Sequence, residues 1–242
     1  MKIKVLQLTF IFLMICIISV AAPSAVFADA HETEGEMAPE AEMAEEKPGV
    51  SGWFQVDVDS LGTYFLIGAS HPIGGVSIAS NIYVNDHLGE FDLGVSLPAV
   101  KSDSVSLDLV PMLGVGFDYT GADGPDALFP QFFAFLTTPK IYFFHWTIGT
   151  VSTIFDDTAV NELYTRNFLT YSINDTIAIG PQAEAVFVFA DELDKPLKLN
   201  FGGRINIGYG TANLLGLYIG YETKKEEGET GLTGRMNFTR FW

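Results

Sequence analysis

Residues 231–242 read GLTGRMNFTRFW. Leu232, Gly234, Met236, Phe238, Arg240 and Trp242 fall on one side of a two-residue repeat, and Thr233, Arg235, Asn237 and Thr239 fall on the other. Such alternation describes a β-strand with one face in an apolar medium and one in a polar medium. The same period governs LKLNFGGRINIGY at 197–209, where Leu197, Leu199, Phe201, Ile205, Ile207 and Tyr209 oppose Lys198, Asn200, Gly202, Arg204, Asn206 and Gly208. It returns at 107–119, LDLVPMLGVGFDY, where Asp108, Val110, Met112, Gly114, Gly116 and Asp118 share a face.

Beyond Val50 no stretch keeps a 3.6-residue apolar period for three turns, so the chain reads as all-β. Strands are expected near 51–59, 63–71, 75–85, 90–98, 104–119, 127–137, 140–151, 162–173, 176–190, 196–209, 212–222 and 230–242. Register is ambiguous in the second, sixth and eighth, whose two faces both carry large apolar groups. The connections alternate in character. HPIGG, AVKSD, TTPK, NDT and GYGTA are short, whereas TGADGPD, STIFDDTAVNE, ADELDK and TKKEEGE are longer and charged; DSLG is a short exception. An even strand count with short turns at one end and longer loops at the other describes an antiparallel up-and-down transmembrane β-barrel. The 193 residues from Val50 to Trp242 suit about twelve strands, with ten or fourteen as the neighbouring counts, because a tilted membrane strand needs ~9–11 residues.

A soluble barrel would hide its apolar face, and a membrane barrel turns it outward. Here the polar face is rich in Gly, Asn, Ser and opposite charges, which fill a dry core poorly and suit a wet lumen. Aromatic residues gather at Trp53-Phe54, Tyr64-Phe65, Phe129 to Phe135, Tyr142 to Trp146 and Phe241-Trp242, which reads as a pair of interfacial girdles.

The first residues, MKIKVLQLTFIFLMICIISVAAPSAVFADA, combine two lysines, an apolar run and small residues before Asp29, the pattern of a secretory signal peptide over 1–28. The single cysteine, Cys16, lies within that run, so the processed chain has no disulfide or thiolate chemistry. Residues 29–49 carry eight acidic side chains against one lysine and cannot bury a core, so they read as a disordered periplasmic segment before a barrel domain at 50–242. From Val50 onward there are 22 acidic and 10 basic residues, which excludes nucleic-acid binding.

The closing strand, with Phe238 and the terminal Trp242, resembles the C-terminal signal of bacterial outer-membrane β-barrels, which the barrel-assembly machinery recognises. Arg240 departs from that pattern and is expected to reach the headgroup region at the rim. The resemblance implies a Gram-negative outer membrane as the location, with outer-membrane lipid and lipopolysaccharide as neighbours, in a porin-like small monomeric barrel.

Signs of catalysis are sparse. The His-x-Ser-Asn-Gly arrangement of outer-membrane phospholipase is absent, since ASNIY at 79–83 has the Ser-Asn pair without the histidine or glycine. His31, His71, His87 and His145 are not at metal-ligand spacing. His71 is expected in a turn, and His145 to face the lumen with Thr147. Loop acids Asp86, Asp123, Asp126, Asp156, Asp157, Asp191, Glu192 and Asp194 match no twelve-residue calcium loop and read as a solvated rim. No enzyme activity, cofactor or metal is expected. Alternation turns Asp57, Asp59, Asp92, Asp108, Asp118, Glu184 and Glu222 inward against Lys198, Arg204 and Arg235. Closure brings the last strand beside the first, with Arg235 near Asp57 or Asp59. The expected function is passive diffusion of small solutes with a weak cation preference. The alternatives are a closed structural or adhesive barrel that anchors acidic loops, and a carrier of hydrophobic solutes suggested by Phe133 and Phe135.

Overall fold

Each strand pairs with its sequence neighbour, and the last pairs with the first. The computed structural model describes residues 49–59, 62–120, 124–189, 196–224 and 230–242. Its strands are β1 Ser51–Asp59, β2 Gly62–Ile73, β3 Val76–Val84, β4 Leu88–Lys101, β5 Ser106–Asp118, β6 Ala127–Thr137, β7 Ile141–Thr150, β8 Asn161–Ser172, β9 Ile177–Phe189, β10 Pro196–Tyr209, β11 Asn213–Lys224 and β12 Thr230–Phe241. They close into one antiparallel barrel. Among the described residues there is no helix. The signal peptide and most of the acidic segment lie outside the described residues, as do Asp123, Asp191, Glu192, Asp194 and parts of four of the loops.

Closure runs to the last residue. Asp57 stands opposite Asn237 and Asp59 opposite Arg235, and beyond the ladder Gly52 and Trp242 exchange backbone hydrogen bonds of 3.0 and 3.1 Å. The Trp242 ring lies against Gly52, where a Cβ would overlap it, so the terminal indole caps the outside of the seam.

Turns at the rim that carries the termini are short because each supplies its own backbone solution. Gly74 (φ 64°) opens a two-residue turn between Ile73 and Val76, and Gly210 (φ 60°) opens the turn before β11. The Ser102, Thr138 and Asn174 side chains accept from the backbone N–H groups of Val105 (3.1 Å), Ile141 (2.9 Å) and Ile177 (2.8 Å). Two expectations are corrected here. His71 and Pro72 belong to β2, paired with Ile78 and Ser77, because the two glycines alone make the turn. β4 continues past residue 98 to Lys101 through an irregularity at Pro98, which has no N–H for the ladder.

The outer surface is apolar around most of the circumference. Phe65, Ile67, Phe91, Leu93, Leu113, Leu169, Ile179, Phe201, Ile205 and Met236 all point outward and are exposed, and Ile219 and Leu232 reach 71% and 87% exposure. An apolar band of this extent would associate in water, whereas hydrocarbon is the medium it matches. The fold is therefore a transmembrane barrel, and its buried charged side chains, such as Asp57, Asp92, Arg166 and Arg204, sit inside.

Candidate functional site: the barrel interior

Because side chains alternate, the inner face takes odd positions on β1, β3, β6 and β12 and even positions on β2, β4, β5 and β7 to β11. The strongest proof that these residues face one another is an ion pair between strands that do not touch. Arg166 on β8 reaches Asp57 on β1 at 3.2 Å across the interior, and its Nε lies 3.4 Å from Glu184 on β9. Arg235 on β12 joins the same group, 2.9 Å from Asp59, 3.1 Å from Glu184 and 3.4 Å from Asp57. Tyr164 accepts from Arg166 Nε at 2.8 Å, and Trp146 lies under the same guanidinium. This belt of three acids and two arginines is almost wholly shielded from solvent.

A second arginine centre lies beside it. Arg204 donates to Gln182 (3.0 Å), Asn206 (2.7 Å) and Asn237 (2.6 Å), and its guanidinium stacks on Phe168 at 4.2 Å. Gly216 leaves the space that Arg204 and Asn237 occupy. Lys198 pairs with Glu222 at 2.7 Å nearer the loop-bearing rim.

Facing this charged wall is an aromatic one, built by β6, β7 and β8. Phe133 stacks on Trp146 (5.6 Å) and on Phe135 (6.0 Å), Phe135 meets Phe144 (5.5 Å), and Phe144 stacks on Phe168 (4.8 Å). Ala79, Val110 and Met112 back Phe133 and Phe135. This corrects the girdle assignment for Trp53, Tyr64, Phe129, Phe133, Phe135, Tyr142, Phe144, Trp146 and Phe241, all of which line the interior. On β2, β6 and β7 the physical reason is that both faces carry large apolar groups, so alternation alone does not say which aromatic side looks inward, whereas Trp53 shares the inward face of Asp57 and Asp59, and Phe241 that of Arg235.

Between the walls runs a cavity of about 660 Å³. Its lining reaches from Asn85, Asp86, His87 and Leu88 at the loop-bearing rim to Trp53, Leu214 and Phe241 at the rim that carries the termini. Of the ten residues singled out from the sequence, Asp57, Asp59, Arg204 and Arg235 line this cavity. Asp59, Glu184, Lys198 and Arg235 line a smaller one of about 90 Å³ above the belt. Asp92 is buried in the β4 wall, hydrogen-bonded by Asn81 and Gln131. Asp108 is on the inner face of β5, half-buried opposite Phe135. Asp118 sits at the loop-bearing rim, accepting from the Thr120 N–H and hydroxyl at 2.7 and 2.6 Å. Asp108, Asp118 and Glu222 line neither cavity.

Arg166 and Glu90 were not singled out from the sequence. Arg166 lies in β8, whose register was ambiguous, and Glu90 lies at the start of the expected fourth strand, where its facing was not assigned. His145 and Thr147 also differ from expectation. They point outward, where His145 bonds Asn167 (2.7 Å) and Thr147 (3.0 Å), and Thr165 bonds Asn167 (3.2 Å) and Thr147 (3.3 Å). These four groups satisfy one another, which is what allows them to face lipid. In the loop after β7, the Thr158 hydroxyl and N–H hold the Asp156 carboxyl below its ordinary pKa. Among the described residues no three His, Cys, Asp or Glu side chains gather as a metal site.

No family model matches the chain, and no curated protein does. Among solved structures it is similar to the "KdgM porin", at 10% identity over 78% of this chain and 98% of that chain with TM-score 0.47. It is similar to the NanC porin at 12% identity over 80% and 100%, with TM-score 0.44. A third similar structure, at 9% identity over 79% and 84% with TM-score 0.50, carries the description "Unveiling the Mechanism Behind the in-meso Crystallization of Membrane Proteins". The third likeness bears on the fold alone, the closed antiparallel β-barrel described above.

Proposed function

We propose that the chain is a porin-like channel of the bacterial outer membrane that lets small solutes diffuse passively, with a weak preference for cations. The observation that carries this reading is the cavity lined from one rim to the other, since a path needs lining residues at both mouths. The arginine belt reaches across the interior on one side of the cavity, and Phe129, Phe133, Phe135, Phe144 and Trp146 line the other. Small or flat solutes suit such a slot, and large hydrated ones do not.

The charge preference rests on the accounting of pairs. Asp57, Asp59 and Glu184 share Arg166 and Arg235, and Lys198 matches Glu222, whereas Glu90 and Asp92 have no cationic partner among the described residues. With the Glu90–Asp92 pair counted as a single charge, because two adjacent buried carboxyls hold a proton between them, and with Arg204 offsetting one, the wall of the passage keeps a net negative charge. In this reading the last strand, with Phe238 and Trp242, serves recognition by the barrel-assembly machinery, and the outward band meets outer-membrane lipid and lipopolysaccharide as a monomer. The passage is a route rather than a catalytic site.

The test is efflux from sealed vesicles containing the refolded barrel. Small ammonium ions and sugars should leave faster than from protein-free vesicles, and small cations faster than anions of equal size. Vesicles as tight as controls would favour the second reading, a closed barrel braced by the Arg166–Asp57 bridge across its lumen.

A further inference from the structure

The β3–β4–β6 wall holds two carboxylates that the arginine belt does not serve. Glu90 and Asp92 lie two residues apart on the inner face of β4, 5% and 0% exposed. Both accept from one donor, Gln131 Nε2, at 2.5 and 2.7 Å. That amide cannot turn round, because its oxygen accepts from the Trp146 indole at 3.0 Å. Gly114 supplies the room, since a Cβ there would overlap Asp92 Oδ1. No lysine, arginine or histidine among the described residues forms an ion pair with either acid.

A second observation points to a ligand. Asn81 is 3% exposed and donates to Asp92 at 3.0 Å, but its Oδ1 accepts from nothing. A buried amide oxygen without a donor is costly, and two adjacent carboxyls in a low-dielectric wall can both carry charge only with a cation beside them. Both deficits are met by a positively charged hydrogen-bond donor. Asn81, Glu90 and Gln131 face the main cavity next to Phe129, Phe133 and Trp146, while Asp92 stands behind them.

We propose that this wall is a binding subsite for an organic ammonium ion, its N–H groups on Glu90 and Asn81 Oδ1 and its apolar body against Phe129, Phe133 and Trp146. The proposal rests on the channel reading and names the solute class for it. An ammonium has three N–H donors to place, which suits two cavity-facing oxygens beside an aromatic wall better than it suits a metal ion, for which no three His, Cys, Asp or Glu side chains gather among the described residues. The aromatic wall already stacks two guanidinium groups, so its faces accept cations. Arg166, the nearest cation along that wall, is matched by Asp57 and Glu184 and does not repel a newcomer strongly.

The experiment is calorimetric titration of the full refolded barrel in detergent with phenylethylammonium, ethylammonium, phenylacetate and Mg²⁺. Phenylethylammonium should bind, ethylammonium more weakly for want of a ring, and phenylacetate not at all. Glu90→Gln with Asp92→Asn should weaken phenylethylammonium by at least about tenfold, the scale of a lost charge-assisted hydrogen bond. The proposal is overturned if phenylacetate binds as well as the amine, if Mg²⁺ displaces the amine at equal concentration, or if the double variant binds unchanged. It is also overturned if wild type binds no amine, which would leave the two acids sharing a proton. Should the double variant not refold, the order of the wild-type series decides. The titration needs no current across a bilayer, so a chain that binds the amine yet conducts nothing would sink the channel reading and leave the subsite standing.

Discussion

Replacing Arg166 with methionine tests whether the interior is braced across its width. The change removes a guanidinium that touches Asp57 at 3.2 Å, Glu184 at 3.4 Å and the Tyr164 hydroxyl at 2.8 Å, while methionine keeps most of the stem's packing. Breaking an isolated buried ion pair costs about 3–5 kcal/mol. Arg235 still holds Glu184 at 3.1 Å and Asp57 at 3.4 Å, so neither carboxylate is left bare. Two charge-assisted contacts at ~1.5 kcal/mol each put the loss at about 3 kcal/mol. Adding Asp57→Asn removes the excess negative charge, so the double variant should recover ~1 kcal/mol or more of that loss. Urea unfolding in phospholipid vesicles, followed by Trp fluorescence, measures both. A single variant within ~0.5 kcal/mol of wild type, the range of ordinary surface changes, would refute the belt, as would a double variant less stable than the single one.

Other expectations follow from single contacts. Deleting Trp242 should lower assembled barrel in cells more than it lowers stability once folded, and normal surface levels would contradict its part in assembly. Phe238→Asp should cost up to a few kcal/mol on the lipid face, measured by the same unfolding assay. Gly52→Val should disturb the seam, because its side chain would meet the Trp242 ring, and unchanged folding yield would argue against that packing. His145→Leu should destabilise by about 1–2 kcal/mol by leaving Asn167 and Thr147 short of a partner. Joining it with Thr147→Val, Thr165→Val and Asn167→Leu should restore stability, and a neutral single variant would refute the idea that the cluster is self-satisfied.

Much of the fold was legible because strands such as β10 and β12 have one polar and one apolar face. Leu199, Phe201 and Ile205 outward fixes Lys198, Asn200 and Arg204 inward, and the even strand count brings Arg235 near Asp57 or Asp59, of which the ladder pairs it with Asp59. Legibility failed where both faces are apolar. On β6 and β7 the aromatic residues are recognisable as belonging to a barrel, but Phe133 and Trp146 look like a girdle until cross-strand stacking gives their direction. The same ambiguity on β8 hid Arg166. Its partner Asp57 lies 109 residues away and five strands round the barrel, a contact that local alternation does not encode. The Glu90–Asp92–Gln131 group was likewise out of reach, since Gln131 comes from the ambiguous sixth strand.

Single-channel recording of the refolded barrel in a planar bilayer, under a KCl gradient, tests the central claim most directly. The account expects small, discrete conductance steps and a reversal potential displaced toward that of K⁺, increased by Arg235→Gln and reduced by Glu90→Gln with Asp92→Asn. A silent bilayer at every potential, or a reversal potential displaced toward that of Cl⁻, would contradict it.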